Sequence, residues 1–434
     1  MPAALFALAI GAFGIGLTEF VIAGILPQIA QDFGVEIPTA GLMATSYALG
    51  VFVGASVLTV LGAKVPRKRM LLGLAVIFTL GNILTALAPT LPIALAGRIL
   101  TAFNHGTFFG IGSIIAASLV AKNRQASAIA FMFSGLTMAN LIGVPAGTWL
   151  AQVYDWRLVF WLIAGIGLVT ALSVALLVPR IDAGKAIALK TELRAFMDSQ
   201  VLLAMGITIF GPAAFFTSIT YIAPMMVEEA GFSDAGIARL MVLFGLGLVV
   251  GNWIGGRFAD RSLFGTLFVT LAAQAAVLFV FWIGVSNGIV ASVSVFLMAA
   301  FGFATVSPIQ KLVMDRASRA GAPTMAASVN IGMFNLGNAL GAWIGGATIA
   351  AGFGLASPNW AGAILSLVAL GLSVVALGRA SIENIQRCQL NARQRNHSGC
   401  ASASSTSGKP AANFLAITPT HLDAALASLR YWPL

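Results

Sequence analysis

The stretch Pro27-Gln28-Ile29-Ala30-Gln31-Asp32-Phe33-Gly34 returns about 197 residues later as Pro224-Met225-Met226-Val227-Glu228-Glu229-Ala230-Gly231, both reading P-x4-[DE]-x-G. The echo continues at nearly the same offset, with Asn140, Gly143 and Gly147 matched by Asn338, Gly341 and Gly345. Chance likeness of glycine-rich helices explains any one match, but several in order point to an internal repeat. Each copy follows an apolar run, so the repeat unit is a set of membrane-spanning helices.

Composition agrees. Of 434 residues, 59% are hydrophobic and 9% charged, against about a quarter charged in a soluble globular chain. Apolar runs of roughly twenty residues recur, covering 4–26, 39–62, 70–88, 92–119, 127–151 and 158–178, then 200–227, 237–258, 265–286, 288–308, 325–352 and 359–378. The reading is an all-α membrane protein of twelve transmembrane helices in two six-helix repeats. Six spans per half put both repeats in the same orientation, related by an axis along the membrane normal. The first run lacks the basic flank and cleavage site of a signal peptide, so it is expected to be retained.

Four regions follow: a first bundle at 1–178, a cytoplasmic linker at 179–199, a second bundle at 200–378 and a polar cytoplasmic tail at 379–434 that is expected to be disordered or weakly helical. The net charge is +10, which in a soluble chain would suggest nucleic acid. Here, with the N-terminus inside, inner loops hold 15 of the 24 Lys and Arg, and outer loops only Arg157 and Arg239. The charge is therefore a topology signal that places both termini in the cytoplasm. The two cysteines, Cys388 and Cys400, lie in the tail and supply neither a disulfide framework nor a metal motif. No cofactor is expected.

Small residues four apart let helices approach closely. Gly143, Pro145 and Gly147 in the fifth span, Gly251 in the eighth and Gly341 and Gly345 in the eleventh lie on helices equivalent by the repeat. They are expected to form the packing surface between the repeats; ordinary helix packing is the plainer alternative.

The motifs in order are Thr18-Glu19-Phe20-Val21, the Pro27 stretch, Pro66-Arg67-Lys68-Arg69, Arg98 with His105-Gly106, Gly135 through Thr148, Trp156-Arg157, Tyr221-Ile222-Ala223-Pro224, Gly256 through Arg261 and Asn335 through Trp343. Over residues 5–378 the chain resembles the twelve-span major facilitator superfamily, and within it the bacterial drug and sugar efflux branch with its arabinose efflux permease-like, drug:proton antiporter type members. Two family motifs are altered. The cytoplasmic G-x3-D-[RK]-x-G-[RK]-[RK] loop has Thr59 and Ala63 in place of its Gly and Asp, while its G-x3-D-R part is intact at Gly256 to Arg261. The antiporter motif's Gly-Pro reads Val144-Pro145. The resemblance implies a gating role for Arg67, Lys68, Asp260 and Arg261, for which topology and lipid headgroup contact are the simpler account.

Only three ionisable side chains lie well inside the spans: Glu19, Arg98 and His105. Charge inside hydrocarbon is costly unless it faces a cavity or a partner, so each is a functional candidate. Glu19 and Arg98 both sit roughly 10 Å below the outer ends of their spans, at matching depth, and the family fold places those spans side by side. The expectation is that Glu19 carries a coupling proton, Arg98 stabilises its charged form and His105 is a relay or substrate contact. The competing account is a static Glu19–Arg98 pair that fixes two helices. Asn104, Asn140, Asn335 and Asn338 could offer amides to a substrate, and Phe216 and Tyr221 an apolar wall, although bridging or core roles are as natural for each.

These readings favour a secondary transporter that exports a small organic molecule, drug-like or sugar-like, against protons across the bacterial inner membrane, and that works as a monomer. Uptake and a non-transporting sensor or scaffold are the alternatives. An enzyme is disfavoured: the chain has no HExxH, GxSxG or Walker A sequence, and one His among the spans is too little for a metal site.

Overall fold

The computed structural model describes residues 2–62, 65–121, 124–180, 197–320 and 326–402. Lys64, Lys122, most of the 179–199 linker and the tail from 403 onward lie outside the described residues. Twelve long helices, numbered in chain order, make up the described fold, with no strand among the described residues. The first half holds α1 (Ala3–Phe33), α2 (Leu42–Leu61), α3 (Arg67–Leu87), α4 (Leu91–Ser118), α5 (Gln125–Met138, continued by Val144–Val153) and α6 (Trp156–Leu177). The second holds α7 (Ser199–Ile219), α8 (Asp234–Ala259), α9 (Leu263–Gly284), α10 (Gly288–Ala304, continued by Val306–Arg319), α11 (Ala326–Thr348) and α12 (Ser357–Ser402). Eleven described helical stretches are long and apolar enough to cross a membrane. The remaining helix, α11, has 23 residues and carries Asn330, Asn335 and Asn338, which dilute its apolar character.

Local chemistry sets the helix ends. Asp155, Asp198, Ser233, Ser262 and Asn287 each precede a helix and accept a hydrogen bond from a backbone N–H in its first turn. The glycines of the repeated motif stop their helices in the left-handed conformation, at φ 62° for Gly34 and 69° for Gly231, where a side chain would be strained. Proline explains two departures from regularity. Pro145 offers no N–H to the Leu141 carbonyl, and α5 answers with a π turn at Ala139–Gly143. Pro224 likewise leaves the Thr220 carbonyl without its helical donor, and α7 breaks before the short helix Ile222–Glu228. Its counterpart Pro27 stays inside a continuous α1.

Packing repeats as the sequence does. α1 lies against α5 and α6 as α7 lies against α11 and α12, and α4 lies against α2 and α3 as α10 lies against α8 and α9. The halves meet where α2 packs on α11 and α5 on α8. The expected helices thus form the contact between halves, but the expected glycines do not. A Cβ on Gly251 would fall 2.1 Å from the Ala300 oxygen, on Gly341 2.2 Å from the Ala213 oxygen and on Gly345 2.5 Å from the Thr217 oxygen, while Gly143 and Gly147 face Phe13 and Val21. Every one of these neighbours belongs to the glycine's own half. Pro145 acts on its own helix through the π turn. Gly143, Gly147, Gly251, Gly341 and Gly345 thus turn toward their own half, whereas Pro145 lies on the Val144–Val153 segment that packs against α8 across the contact. At Gly251, Gly341 and Gly345 the close neighbour is backbone, which interlocks the two helices of each pair.

Up to Ser402 the tail takes the helical of its two expected forms. α12 runs on past Gly378 without interruption, because residues 379–396 hold helix-favouring Arg and Gln at seven positions and no proline or glycine. Extending a formed helix avoids the cost of nucleating one.

Candidate functional site

Thr18, Glu19 and Phe20 follow one another on α1, and about 100° of helical rotation separates each side chain from the next. They enter three different environments. The Thr18 hydroxyl donates to Asn82 Oδ1 on α3 at 3.1 Å and accepts from Arg98 Nη1 at 2.9 Å. The Glu19 carboxylate faces His105, with 4.0 Å between Oε2 and Nδ1. The Phe20 ring crosses to the other half and meets Phe216, Phe244 and Phe303 at centroid distances of 5.9–6.0 Å.

Arg98 is fully buried. Its Nη1 also donates to the Thr18 carbonyl at 2.8 Å and its Nε to the Met43 carbonyl at 3.2 Å. The guanidinium carbon lies 4.3 Å from the Tyr47 ring centroid, a cation–π contact, and Nη2 has no partner. Carbonyls, a hydroxyl and a π face thus hold the cation, and the expected Glu19–Arg98 ion pair is not among the ion pairs of the described residues. Helix geometry gives the reason. Side chains lean toward the N-terminus of their own helix, and α1 and α4 run antiparallel. Two long side chains starting at one depth therefore diverge, Arg98 toward Thr18 and Met43, Glu19 toward His105.

Tyr47 joins the two ends of this cluster. While its ring lies under Arg98, its hydroxyl is 3.1 Å from His105 Nδ1. Sequence reasoning missed it, along with Thr18. The available signal was scarcity: Tyr47 and Tyr221 are the two of the chain's four tyrosines that fall within the apolar runs.

The other candidates fall into two groups. Asn104, Asn140, Asn335 and Asn338 are all buried, and each leaves its amide oxygen without a partner, Asn338 its nitrogen as well. Buried polar atoms are normally paired, so these unpartnered amide atoms set the four asparagines apart. Phe216 is packed in the aromatic contact already described, and Tyr221 donates to the Ala342 carbonyl at 2.8 Å; both are core. Of the residues expected at the gate, Lys68, Asp260 and Arg261 have partners in their own halves. Lys68 donates to the Ala175 carbonyl at 2.8 Å, Asp260 pairs with Lys311 at 3.0 Å, Arg261 lies over the Phe258 ring and Arg67 opens α3.

Known proteins resemble the chain along most of its length. Residues 8–332 match the family model described as Major Facilitator Superfamily. The chain is 45% identical over 366 residues to the inner membrane transport protein YdhP of Escherichia coli strain K12, covering 84% of this chain and 94% of that one. It is 34% identical over 381 residues to a chloramphenicol resistance protein of Streptomyces lividans, with 85% and 95% covered. Among solved structures, a D-xylose–proton symporter superposes with a TM-score of 0.69 at 15% identity over 86% of this chain and 96% of that one, a likeness of fold. Twelve helices in two similarly packed halves, a buried ionisable cluster between helices of the first and this matching family place the chain: it belongs to the Major Facilitator Superfamily of membrane transporters.

Proposed function

We propose that this transporter exports a small organic molecule, drug-like or sugar-like, across the bacterial inner membrane in exchange for protons. The observation that carries the reading is the Glu19 carboxyl, mostly buried and 4.0 Å from His105 Nδ1 beside a fully buried Arg98. A buried carboxyl whose neighbours change with conformation takes up and releases a proton as the molecule switches. Glu19 carries the proton, His105 relays it and the Arg98 cation tunes the site's charge through Tyr47 and the α1 backbone. Unpaired amides at Asn104, Asn140, Asn335 and Asn338 suit the hydroxyls of a sugar or the heteroatoms of a drug. The chloramphenicol-resistance relative supports a drug-like substrate, and the YdhP relative an inner-membrane location.

Several organisational features belong to the same proposal. Residues 1–178 and 200–378 act as the two moving bundles, 179–199 links them in the cytoplasm, 379–434 is a cytoplasmic tail, and both termini are inside. One chain supplies both halves of the path and works as a monomer. The test uses purified protein in liposomes with an imposed pH gradient. Chloramphenicol or a pentose panel is expected to drive proton movement that Glu19→Gln abolishes. Unchanged coupling in that variant would remove Glu19 from the mechanism, and the direction of proton movement separates export from uptake. Absence of any flux across both panels would favour a sensor or scaffold.

A further inference from the structure

Two groups compete for one nitrogen. The Tyr47 hydroxyl lies 3.1 Å from His105 Nδ1 and the Glu19 carboxylate 4.0 Å from the same atom. An imidazole nitrogen has a single in-plane position for a hydrogen bond, so Nδ1 serves one neighbour at a time. With Tyr47 donating, Nδ1 is an acceptor, the ring proton sits on Nε2 and the Glu19 carboxyl is shut out. Charged and titratable groups facing this nitrogen are Glu19 from α1, Tyr47 from α2, and His105's own helix neighbour Arg98 from α4.

Tyr47 also belongs to a cluster that touches the opposite half. It forms a buried cluster with Val51 and Ala102 against which Ile331 of α11 packs, at the contact between α2 and α11 where the halves meet. Any rocking of the halves that changes this contact moves the tyrosine. Arg98 holds the ring through its cation–π contact, so the phenol sits between the α4 cation and the cluster on which α11 packs.

We propose that Tyr47 is the positioning residue that couples domain movement to proton transfer, by occupying His105 Nδ1 in one conformation and freeing it for Glu19 in the other. The inference rests on the proton-coupling reading above and names its gate. When α2 and α11 shift and the Tyr47 hydroxyl leaves, the Glu19 O–H bond breaks as an Nδ1–H bond forms. The Nε2–H bond breaks in turn and its proton passes to water. The products are the Glu19 carboxylate, a neutral His105 of opposite tautomer and a hydrated proton. Transfer in the other direction reverses these steps. With Tyr47 seated, Nδ1 is blocked and protons do not pass while the halves are docked.

The experiment is proton leak, which requires no organic substrate. Liposomes containing the full chain and a trapped pH-sensitive dye receive a pH step, and the decay of the gradient is followed. Tyr47→Phe keeps the ring under Arg98 and removes only the hydroxyl. It is expected to leak about fivefold faster than the parent, the change given by losing one neutral hydrogen bond, and adding Glu19→Gln is expected to return the leak to the parent rate. A parent-like leak in Tyr47→Phe, or a fast leak that survives Glu19→Gln, overturns the proposal. Should Tyr47→Phe not be recovered folded, Ile331→Ala decides, since it loosens the same cluster from the other half: a faster, Glu19-dependent leak supports the gate and a parent-like leak overturns it. The two readings fail separately. Chloramphenicol-driven proton movement that persists in Glu19→Gln removes the coupling site and the gate together. Movement lost in Glu19→Gln with no extra leak in Tyr47→Phe removes the gate alone.

Discussion

Replacing Gly251 by Ala tests whether the glycine faces hold each bundle together or let the bundles move. An added Cβ would lie 2.1 Å from the Ala300 oxygen, 2.8 Å from its carbonyl carbon and 2.9 Å from its Cα. Ordinary contact begins near 3.4 Å, so α8 and α10 must separate by about 1.3 Å at this level, and the neighbour is backbone that no rotamer change can move. Overpacking of this kind costs about 1–3 kcal/mol, offset by up to about 1 kcal/mol from alanine's better helix propensity. The expected net loss is up to about 2 kcal/mol, a factor of up to roughly 30 in the folded-to-unfolded ratio. Reversible unfolding in mixed detergent micelles measures it. Gly245→Ala is the control, because its Cβ would fall 2.4 Å from the Asn140 oxygen across the contact between halves. The halves can separate as units there, so the change should alter the balance of conformations, read by inter-half cross-linking or label distances, more than stability. Parent-like stability of Gly251→Ala combined with lost transport would refute the reasoning and return that glycine to the moving surface.

Other expectations concern the polar cluster and its surroundings. Thr18→Val removes the hydroxyl shared by Asn82 and Arg98 and should cost about 1–3 kcal/mol of stability in the same unfolding assay, whereas no loss would mean that the pair is held by other contacts. Asn338→Leu deletes two buried, unpaired amide atoms and should leave stability unchanged or raised while weakening transport; destabilisation with intact transport would make Asn338 a structural bridge. Arg157→Gln breaks a partly exposed pair with Asp32 at 2.5 Å and should cost about 1 kcal/mol or less, with the loss shrinking as salt is added. If proton exchange at Glu19 drives transport, Glu19→Gln should flatten the dependence of flux on the imposed pH gradient, and an undiminished dependence would place the titrating group elsewhere.

Much of the fold was legible in the chain because bilayer physics is strict about length and composition. Apolar runs, capping residues such as Ser233 and Asn287, and the paired terminators Gly34 and Gly231 locate helices without any tertiary information. Glu19, Arg98 and His105 stood out because an ionisable group in hydrocarbon is expensive wherever it occurs. Their partners did not, because pairing depends on which way a side chain leans. Equal depth suggested Glu19–Arg98, yet antiparallel helices turn the two side chains apart, and Tyr47, marked in sequence only by the scarcity of tyrosine in the apolar runs, bridges Arg98 and His105. The proline-induced π turn at Ala139–Gly143 and the break after Ile219 likewise follow from local chemistry, but the same proline at Pro27 leaves α1 continuous, so the outcome depends on what packs around it.

By itself the sequence determined how many helices there are, that they come as two similar sets, and which few residues must justify a charge inside the membrane. Those are consequences of transfer free energy, which each segment meets alone. The tertiary structure decided which faces meet: Gly251, Gly341 and Gly345 press on backbone of their own half, Gly245 on backbone of the other, and one imidazole nitrogen lies within reach of both a phenol and a carboxylate. Such choices depend on the rotation and tilt of helices that are distant in the chain, and spacing along one segment does not fix the angle at which another arrives.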